Sequence, residues 1–193
     1  MIGNDVVDLQ LAAIQSNWKR KGWQQKVFLE AEQELIWNTE KPTVAVWLLW
    51  SMKEAAYKAH QRHFELDRRL NWKILECRLS EFSEEQASGE VKIEGKSYFT
   101  TSRITLEAIH TTAVNRYETA FKNGIFKASS EEMKQTFLKL VSENSGATAG
   151  NIQLQKNGFG IPFLTLHDQE LSTSFSFSGH GSYAAFSLAL TNS

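Results

Sequence analysis

The clearest helical pattern in the chain lies in residues 43–60, TVAVWLLWSMKEAAYKAH. Apolar residues recur there at steps of three and four, which places them on one face of a helix. These residues are Val44, Leu48, Met52, Ala55 and Ala59. The other residues include lysine, glutamate and further alanines, which also favour helix. We therefore predict a helix over residues 43–60, preceded by a connector in which Pro42 suits the first helical turn.

Two other segments also have a helical pattern. Residues 10–37 predict helix with a break at the glycine of KRKGW, because the apolar residues of FLEAEQELIW recur at roughly helical intervals. Residues 130–143 predict another helix, with Ser129 or Ser130 as its cap and acidic residues in its first turn.

The rest of the chain is dominated by segments that are typical of strands and turns. The predicted strands are residues 2–9, 70–79, 89–101, 105–114, 151–155, 162–166, 172–178 and 183–190. The acidic residues 80–89 predict a loop, and residues 179–182 predict a tight turn. With helices early and strands later, the pattern indicates an α+β fold in which an antiparallel sheet packs against helices. We expect a single domain over residues 1–193.

The amino-acid composition excludes some classes of protein but does not identify the function. The 193 residues are 41% hydrophobic and 22% charged, with a net charge of -1, which is ordinary for a globular protein and unlike a nucleic-acid-binding surface. Cys77 has no partner for a disulfide within the chain, and we expect it to be a small buried apolar residue. The acidic first residues do not resemble a signal peptide, and no apolar run is long enough to cross a membrane. We therefore expect a cytoplasmic protein.

Glu54 and Lys58 are the first candidates for chemistry. They lie four residues apart on the predicted helix and so share a face, on the stripe that also carries Trp47 and Trp50. One interpretation is a solvent-exposed ion pair worth a few tenths of a kcal/mol. The other is a site for magnesium and pyrophosphate, in which the carboxylate holds the metal and the lysine binds a phosphate oxygen. This second interpretation needs another acid from elsewhere in the chain.

Asp5 and Asp8 in the N-terminal segment are the candidates for that acid. Residues three apart on a regular strand point to opposite faces, so both can enter one site only if the strand ends or bulges between them. Asp8 is explained about as well as a turn residue or a cap of the next helix as it is by a functional role. Asp5 lies within an apolar run, where an acid requires a reason.

Three motifs in order resemble the 4′-phosphopantetheinyl transferase superfamily, and most closely its holo-acyl-carrier-protein synthase branch. GNDVVDL at residues 3–9 is similar to the opening strand G-x-D-[IV]-V-[ED]-[IL], and KEAAYK at residues 53–58 matches K-E-A-x-x-K. SFSGHGSYA at residues 176–184 is similar to S-[ILF]-[ST]-H-x-x-x-Y-A, although Gly179 stands where the family has histidine and His180 is displaced by one. The resemblance implies a 4′-phosphopantetheinyl transferase-like fold, in which residues 64–148 are an insertion relative to the short family form.

The resemblance also implies the reaction and its residues. A carrier-protein serine would attack the β-phosphorus of coenzyme A, giving holo-acyl carrier protein for fatty acid biosynthesis. Asp5 and Glu54 would bind Mg²⁺, Lys58 would bind phosphate, Asp8 would support the site and His180 would contact coenzyme A. Either a metal-bound water or Glu54 would take the serine proton.

The resemblance implies partners as well. Apo-acyl carrier protein, or another acidic carrier protein, would dock on the basic residues 19–21 or on Arg68 and Arg69, unless these are simply solvated surface charges. The inserted segment would cap the coenzyme A site, replace a neighbouring subunit or block the family's trimer, so the oligomeric state stays open.

Two alternatives compete with the active transferase. One is a catalytically weak relative that only binds coenzyme A or a carrier protein. The other is an unrelated interaction domain, which predicts that Asp5 and Glu54 lie far apart.

Overall fold

The computed structural model describes residues 1–190 and divides into a larger N-terminal and a smaller C-terminal part. The helices are α1 Leu9–Gln15, α2 Trp23–Val27, α3 Glu30–Asn38, α4 Pro42–Phe64 and α5 Ser130–Ser145. The first strands are β1 Ile2–Asp8, β2 Leu75–Phe82, β3 Gln86–Ile93, β4 Lys96–Ile104, β5 Ala108–Val114 and β6 Phe121–Lys127. The later strands are β7 Ile152–Lys156, β8 Pro162–Leu166, β9 Gln169–Glu170, β10 Phe175–His180 and β11 Tyr183–Ala189.

The N-terminal part is an antiparallel sheet covered by helix α4. Its five strands follow the order β1-β5-β4-β3-β2. The first strand, β1, therefore lies at one edge of the sheet and pairs with β5 and not with β2. Helix α4 begins with Pro42 in its first turn and ends at Glu65, which adopts a left-handed conformation with φ 50°. One hydrophobic core joins α4 to the sheet and to the short helices α1–α3.

The C-terminal part has two three-stranded sheets, in the orders β10-β11-β6 and β7-β8-β9. Helix α5 packs on them around Phe137, which lies in a second hydrophobic core. The mixed fold with antiparallel sheets packed against helices confirms the coarse prediction of the fold class.

Several predictions of detail are corrected by the structure. The region predicted as one interrupted helix forms three short helices, α1 to α3. Most of the predicted acidic loop 80–89 belongs to strands β2 and β3, where Glu81 lies on the solvent face of an antiparallel pair, and residues 83–85 form the turn between the strands. Trp47, placed by the sequence on the stripe opposite the apolar face, is only 4% exposed. It is buried because α1–α3 cover the side of α4 that faces away from the sheet.

The two parts meet along the free edge of β1. In residues 174–180 every second residue is polar, and the side chains of these polar residues face β1. They are Ser174, Ser176, Ser178 and His180. Ser174 Oγ accepts from the Ile2 N–H at 3.1 Å, and Ser176 Oγ accepts from the Asn4 N–H at 3.0 Å. Side chains of β10 and of the residue just before it thus satisfy edge N–H groups that would otherwise be unpaired.

Candidate active site

Gly3 allows β1 to lie directly against helix α4. A Cβ atom at Gly3 would lie 2.1 Å from the Ala55 carbonyl oxygen and 2.6 Å from the Ala59 nitrogen, so no other residue fits without moving the strand. Because the two backbones touch, the side chain of Asp5 reaches the face of α4 that carries Glu54 and Lys58.

Lys58 is bound to β1 and not to Glu54. Its Nζ donates to Asp5 Oδ1 at 2.9 Å and to the carbonyl oxygen of Asn4 at 3.0 Å. The interpretation of Glu54 and Lys58 as an exposed pair is therefore wrong: within residues 1–190 the lysine's ion pair is with Asp5. A contact across 53 residues of sequence replaces the local pair because β1 comes so close to the helix.

Glu54 is the unusual acid of this group. Burial and the neighbouring charge of Asp5 raise its pKa, and Lys58 and Arg68 offset this only in part. Among the described residues no hydrogen bond reaches its carboxylate. Two adjacent carboxylates, one of them without a partner, are the oxygen donors that Mg²⁺ prefers, and this metal often takes only one or two ligands from protein. Asp5 and Glu54 therefore fit a divalent metal, although no larger group of potential metal ligands occurs within residues 1–190.

Asp8 has a structural role. Its Oδ1 accepts from the Leu11 N–H and caps α1, while its Oδ2 accepts from the Ser182 N–H, each at 3.0 Å. Burial alone would raise the pKa of Asp8, but these bonds and another from the Gln10 N–H outweigh it and lower the pKa. Asp8 thus fastens the turn between β10 and β11 to the start of α1.

His180 reaches the site from the C-terminal part. Its Nδ1 accepts from the Asp8 N–H at 2.9 Å, so the neutral ring carries its proton on Nε2. The displacement by one residue that the sequence showed puts His180 in phase with the serines of β10, which face β1. His180 therefore faces β1, whereas Gly179 belongs to the opposite phase of the strand.

Most of the predicted site residues line one cavity of about 250 Å³, and Asp8 does not belong to its wall. Its wall includes Asp5, Glu54, Lys58, Arg68, Trp50 and His180. A larger cavity of about 370 Å³ lies near Met1 and Arg62 and contains none of the predicted site residues. The sequence thus predicted most of the polar wall of the smaller cavity.

The structure places Arg68 in the cavity wall and leaves Lys53 and residues 19–21 outside it. Arg68, grouped with Arg69 as a docking surface, lines the cavity, and only the packing of the loop after α4 could reveal this. Lys53, which also belongs to the KEAAYK motif, is fully buried and bound to Glu32, so it does not face the cavity. Residues 19–21 are exposed and are not part of the cavity wall.

Comparison with known proteins gives one match. A model of the 4′-phosphopantetheinyl transferase superfamily matches residues 1–122. No curated protein and no solved structure matches the chain. The match runs through β2–β5, so the prediction that residues 64–148 are an insertion is not confirmed. It ends before the third motif, and it rules out the alternative of an unrelated interaction domain.

No helix within residues 1–190 has the length and apolar character needed to cross a membrane.

Proposed function

The chain belongs to the 4′-phosphopantetheinyl transferase superfamily, and we propose that it is a magnesium-dependent transferase of the holo-acyl-carrier-protein synthase type. The superfamily moves phosphopantetheine from coenzyme A to carrier proteins. In the proposed reaction, the serine Oγ of apo-acyl carrier protein bonds to the β-phosphorus of coenzyme A. The bond from that phosphorus to the oxygen it shares with the α-phosphorus breaks, the serine proton passes to a base, and adenosine 3′,5′-bisphosphate leaves.

One observation carries the proposal: Asp5 and Glu54 meet beside Lys58 in a cavity that His180 also lines. Phosphoryl transfer depends mainly on positioning and on neutralising charge on oxygen, and this set of side chains can do both. A binding module has no need of paired carboxylates next to a lysine. This favours an active enzyme over the alternative of a relative that only binds coenzyme A or a carrier protein.

Each side chain of the site has its own role in the proposed reaction. Asp5 and Glu54 would hold Mg²⁺, which when bound supplies positive charge to the pyrophosphate oxygens. Lys58 keeps the Asp5 carboxylate in place and adds a positive charge beside it. His180, fixed through Nδ1, presents its Nε2 proton as a donor for a phosphate oxygen of coenzyme A.

Glu54 is the candidate base within the chain. Through a carboxylate oxygen that the metal leaves free, it can accept the serine proton, since no hydrogen bond within residues 1–190 reaches that carboxylate. Water in the site is the second candidate.

The remaining assignments follow from the same proposal. The partner is an acidic apo-acyl carrier protein, which approaches the exposed basic residues 19–21, and the product serves fatty acid biosynthesis. The protein works in the cytoplasm, as a single domain over residues 1–193.

The test is to incubate the protein with apo-acyl carrier protein, coenzyme A and Mg²⁺ and to weigh the carrier protein by intact mass spectrometry. We expect a phosphopantetheine mass gain that EDTA abolishes and that Glu54→Gln slows by at least about 100-fold. Glu34→Gln, at an exposed position of α3, is the matched control and should leave the rate unchanged.

Calorimetry with coenzyme A separates the negative outcomes. Binding of coenzyme A with Mg²⁺ but no transfer to any carrier protein supplied would favour the binding-only relative. Failure to bind coenzyme A would overturn the proposed function.

A further inference from the structure

The loop after α4 folds back along the helix toward the cavity. Glu65 turns the chain with a left-handed conformation, and the Leu66 N–H then donates to the Gln61 carbonyl oxygen at 3.1 Å. The Gln61 side chain returns a bond, from Nε2 to the Leu66 carbonyl oxygen at 3.0 Å. The chain is thereby held against the face of α4 that carries Glu54 two turns earlier.

Tyr57 fixes the next part of this loop. Its buried hydroxyl accepts from the Arg69 N–H at 2.6 Å and donates to the Asp67 carbonyl oxygen at 3.3 Å. These two bonds reach the residues on either side of Arg68. The backbone at Arg68 is therefore held from both sides by one side chain of the KEAAYK motif.

The side chain of Arg68 lines the cavity together with Glu54 and Lys58. Lys58 already bonds to Asp5 and to a carbonyl oxygen, whereas within residues 1–190 Arg68 forms no ion pair. Its guanidinium therefore remains available to a ligand, and its planar fork can bind two oxygens of one phosphate or of a diphosphate.

The charges of the cavity favour a diphosphate. Asp5 and Glu54 balance Lys58 and Arg68, so the four side chains are neutral together, and a divalent metal on the carboxylates would leave two positive charges. That excess matches the doubly negative pyrophosphate of coenzyme A.

Building on the proposed function, we infer that Arg68 binds the pyrophosphate of coenzyme A and that Tyr57 is the positioning residue that holds Arg68 at the cavity. Arg68 and Arg69 are both exposed, but Arg69 does not line the cavity, so it provides a matched control on the same loop.

The first test compares Arg68→Ala with Arg69→Ala in steady-state transfer to apo-acyl carrier protein. We expect Arg68→Ala to raise the KM for coenzyme A by about 10-fold to 100-fold, because a charged hydrogen-bonding group is lost. Arg68→Ala should leave the KM for the carrier protein unchanged, and Arg69→Ala should leave the KM for coenzyme A unchanged. Arg68→Lys should restore binding only in part, since lysine lacks the fork.

The second test is Tyr57→Phe, which keeps the packed ring and removes both bonds to the loop. We expect a rise in the KM for coenzyme A in the same direction, with kcat nearly unchanged. The double variant with Arg68→Ala should bind coenzyme A no more weakly than Arg68→Ala alone, because both changes remove one interaction. Additive effects would show that Tyr57 influences coenzyme A binding independently of Arg68 and would overturn its positioning role.

The remaining outcomes are distinct. A rise in the KM for the carrier protein alone would make Arg68 a docking residue and overturn the inference. An Arg68→Ala penalty that disappears with 3′-dephospho-coenzyme A would assign the contact to the 3′-phosphate and overturn the pyrophosphate. If the unmodified protein neither binds nor uses coenzyme A, the proposed function itself is wrong. If the unmodified protein uses coenzyme A and Arg68→Ala has the same KM for coenzyme A as the unmodified protein, only this inference is wrong.

Discussion

Replacing Lys53 by methionine should destabilise the protein by about 3–5 kcal/mol, because it leaves a buried carboxylate without its counter-ion. Lys53 Nζ lies 2.5 Å from Glu32 Oε2 and also donates to the Val27 carbonyl oxygen at 3.0 Å. Glu32 in turn accepts from the Cys77 N–H at 2.7 Å and from the Leu29 N–H at 2.8 Å. One ion pair therefore joins α4, α3 and β2.

The magnitude follows from burial. The side chain of Lys53 is 0% exposed and that of Glu32 is 3% exposed, so water cannot replace the lost partner. For a chain of this size each kcal/mol lowers the midpoint of thermal unfolding by about 2–4 °C, which predicts a fall of about 6–20 °C. Burial lowers the pKa of Lys53 despite the attraction of Glu32, so the pair does not fully repay its desolvation. The double variant Glu32→Gln, Lys53→Met should therefore recover part of the loss.

Denaturant and thermal unfolding measure the effect. Lys41→Met is the matched control, because Lys41 pairs with Glu84 at the surface, where the two side chains are 51% and 82% exposed. That change should cost less than about 1 kcal/mol. If Lys53→Met cost no more than Lys41→Met, the argument that this lysine of the motif supports the core would be refuted.

Two further predictions concern pH and a turn. Burial, and then the charge of Lys58, lower the pKa of His110 from 6.5 to about 4, so the unfolded chain takes up its proton first as pH falls. Stability present above pH 6.5 should therefore decline by up to about 3 kcal/mol toward pH 4, and His110→Gln should flatten that slope in denaturant unfolding; equal slopes would contradict this. At Gly181, with φ +57°, a Cβ would lie 2.3 Å from Asp8 Oδ2, whereas at Gly146, with φ +68°, it would meet nothing within 4 Å. Gly146→Ala should lower the free energy of unfolding by about 1–2 kcal/mol, and Gly181→Ala should lower it by clearly more. Equal falls in the midpoint of unfolding would show that the contact between Asp8 and this turn does not contribute to stability.

The hydrophobic pattern alone was enough to predict the main elements. Helix α4 was predicted over 43–60 and extends over Pro42–Phe64, and most strands lie close to their predicted positions. Local periodicity determines these elements, because each must bury one face. The main errors are the acidic residues 80–89, most of which are strand and not loop, the helix predicted over 10–37, which is three short helices, and strand β6, which was not predicted.

The sequence by itself also determined the kinds of side chain available for chemistry. The opening G-x-D strand and the KEAAYK helix supply the paired carboxylates and the lysine, and the superfamily match rests on the part of the chain that contains both. The sequence could not show why residue 3 must be glycine, because its close contact is with a helix more than 50 residues away.

Only the tertiary structure decided which of these side chains act together. It paired Lys58 with Asp5 instead of Glu54, directed Asp8 to backbone N–H groups, and brought Arg68 and His180 to the cavity. Each outcome depends on contacts between residues far apart in sequence, or on a loop folding back onto its helix. The spacing of residues along the chain cannot predict such contacts. Spacing determines which face of a helix or strand a side chain occupies, but not which part of the chain packs against that face.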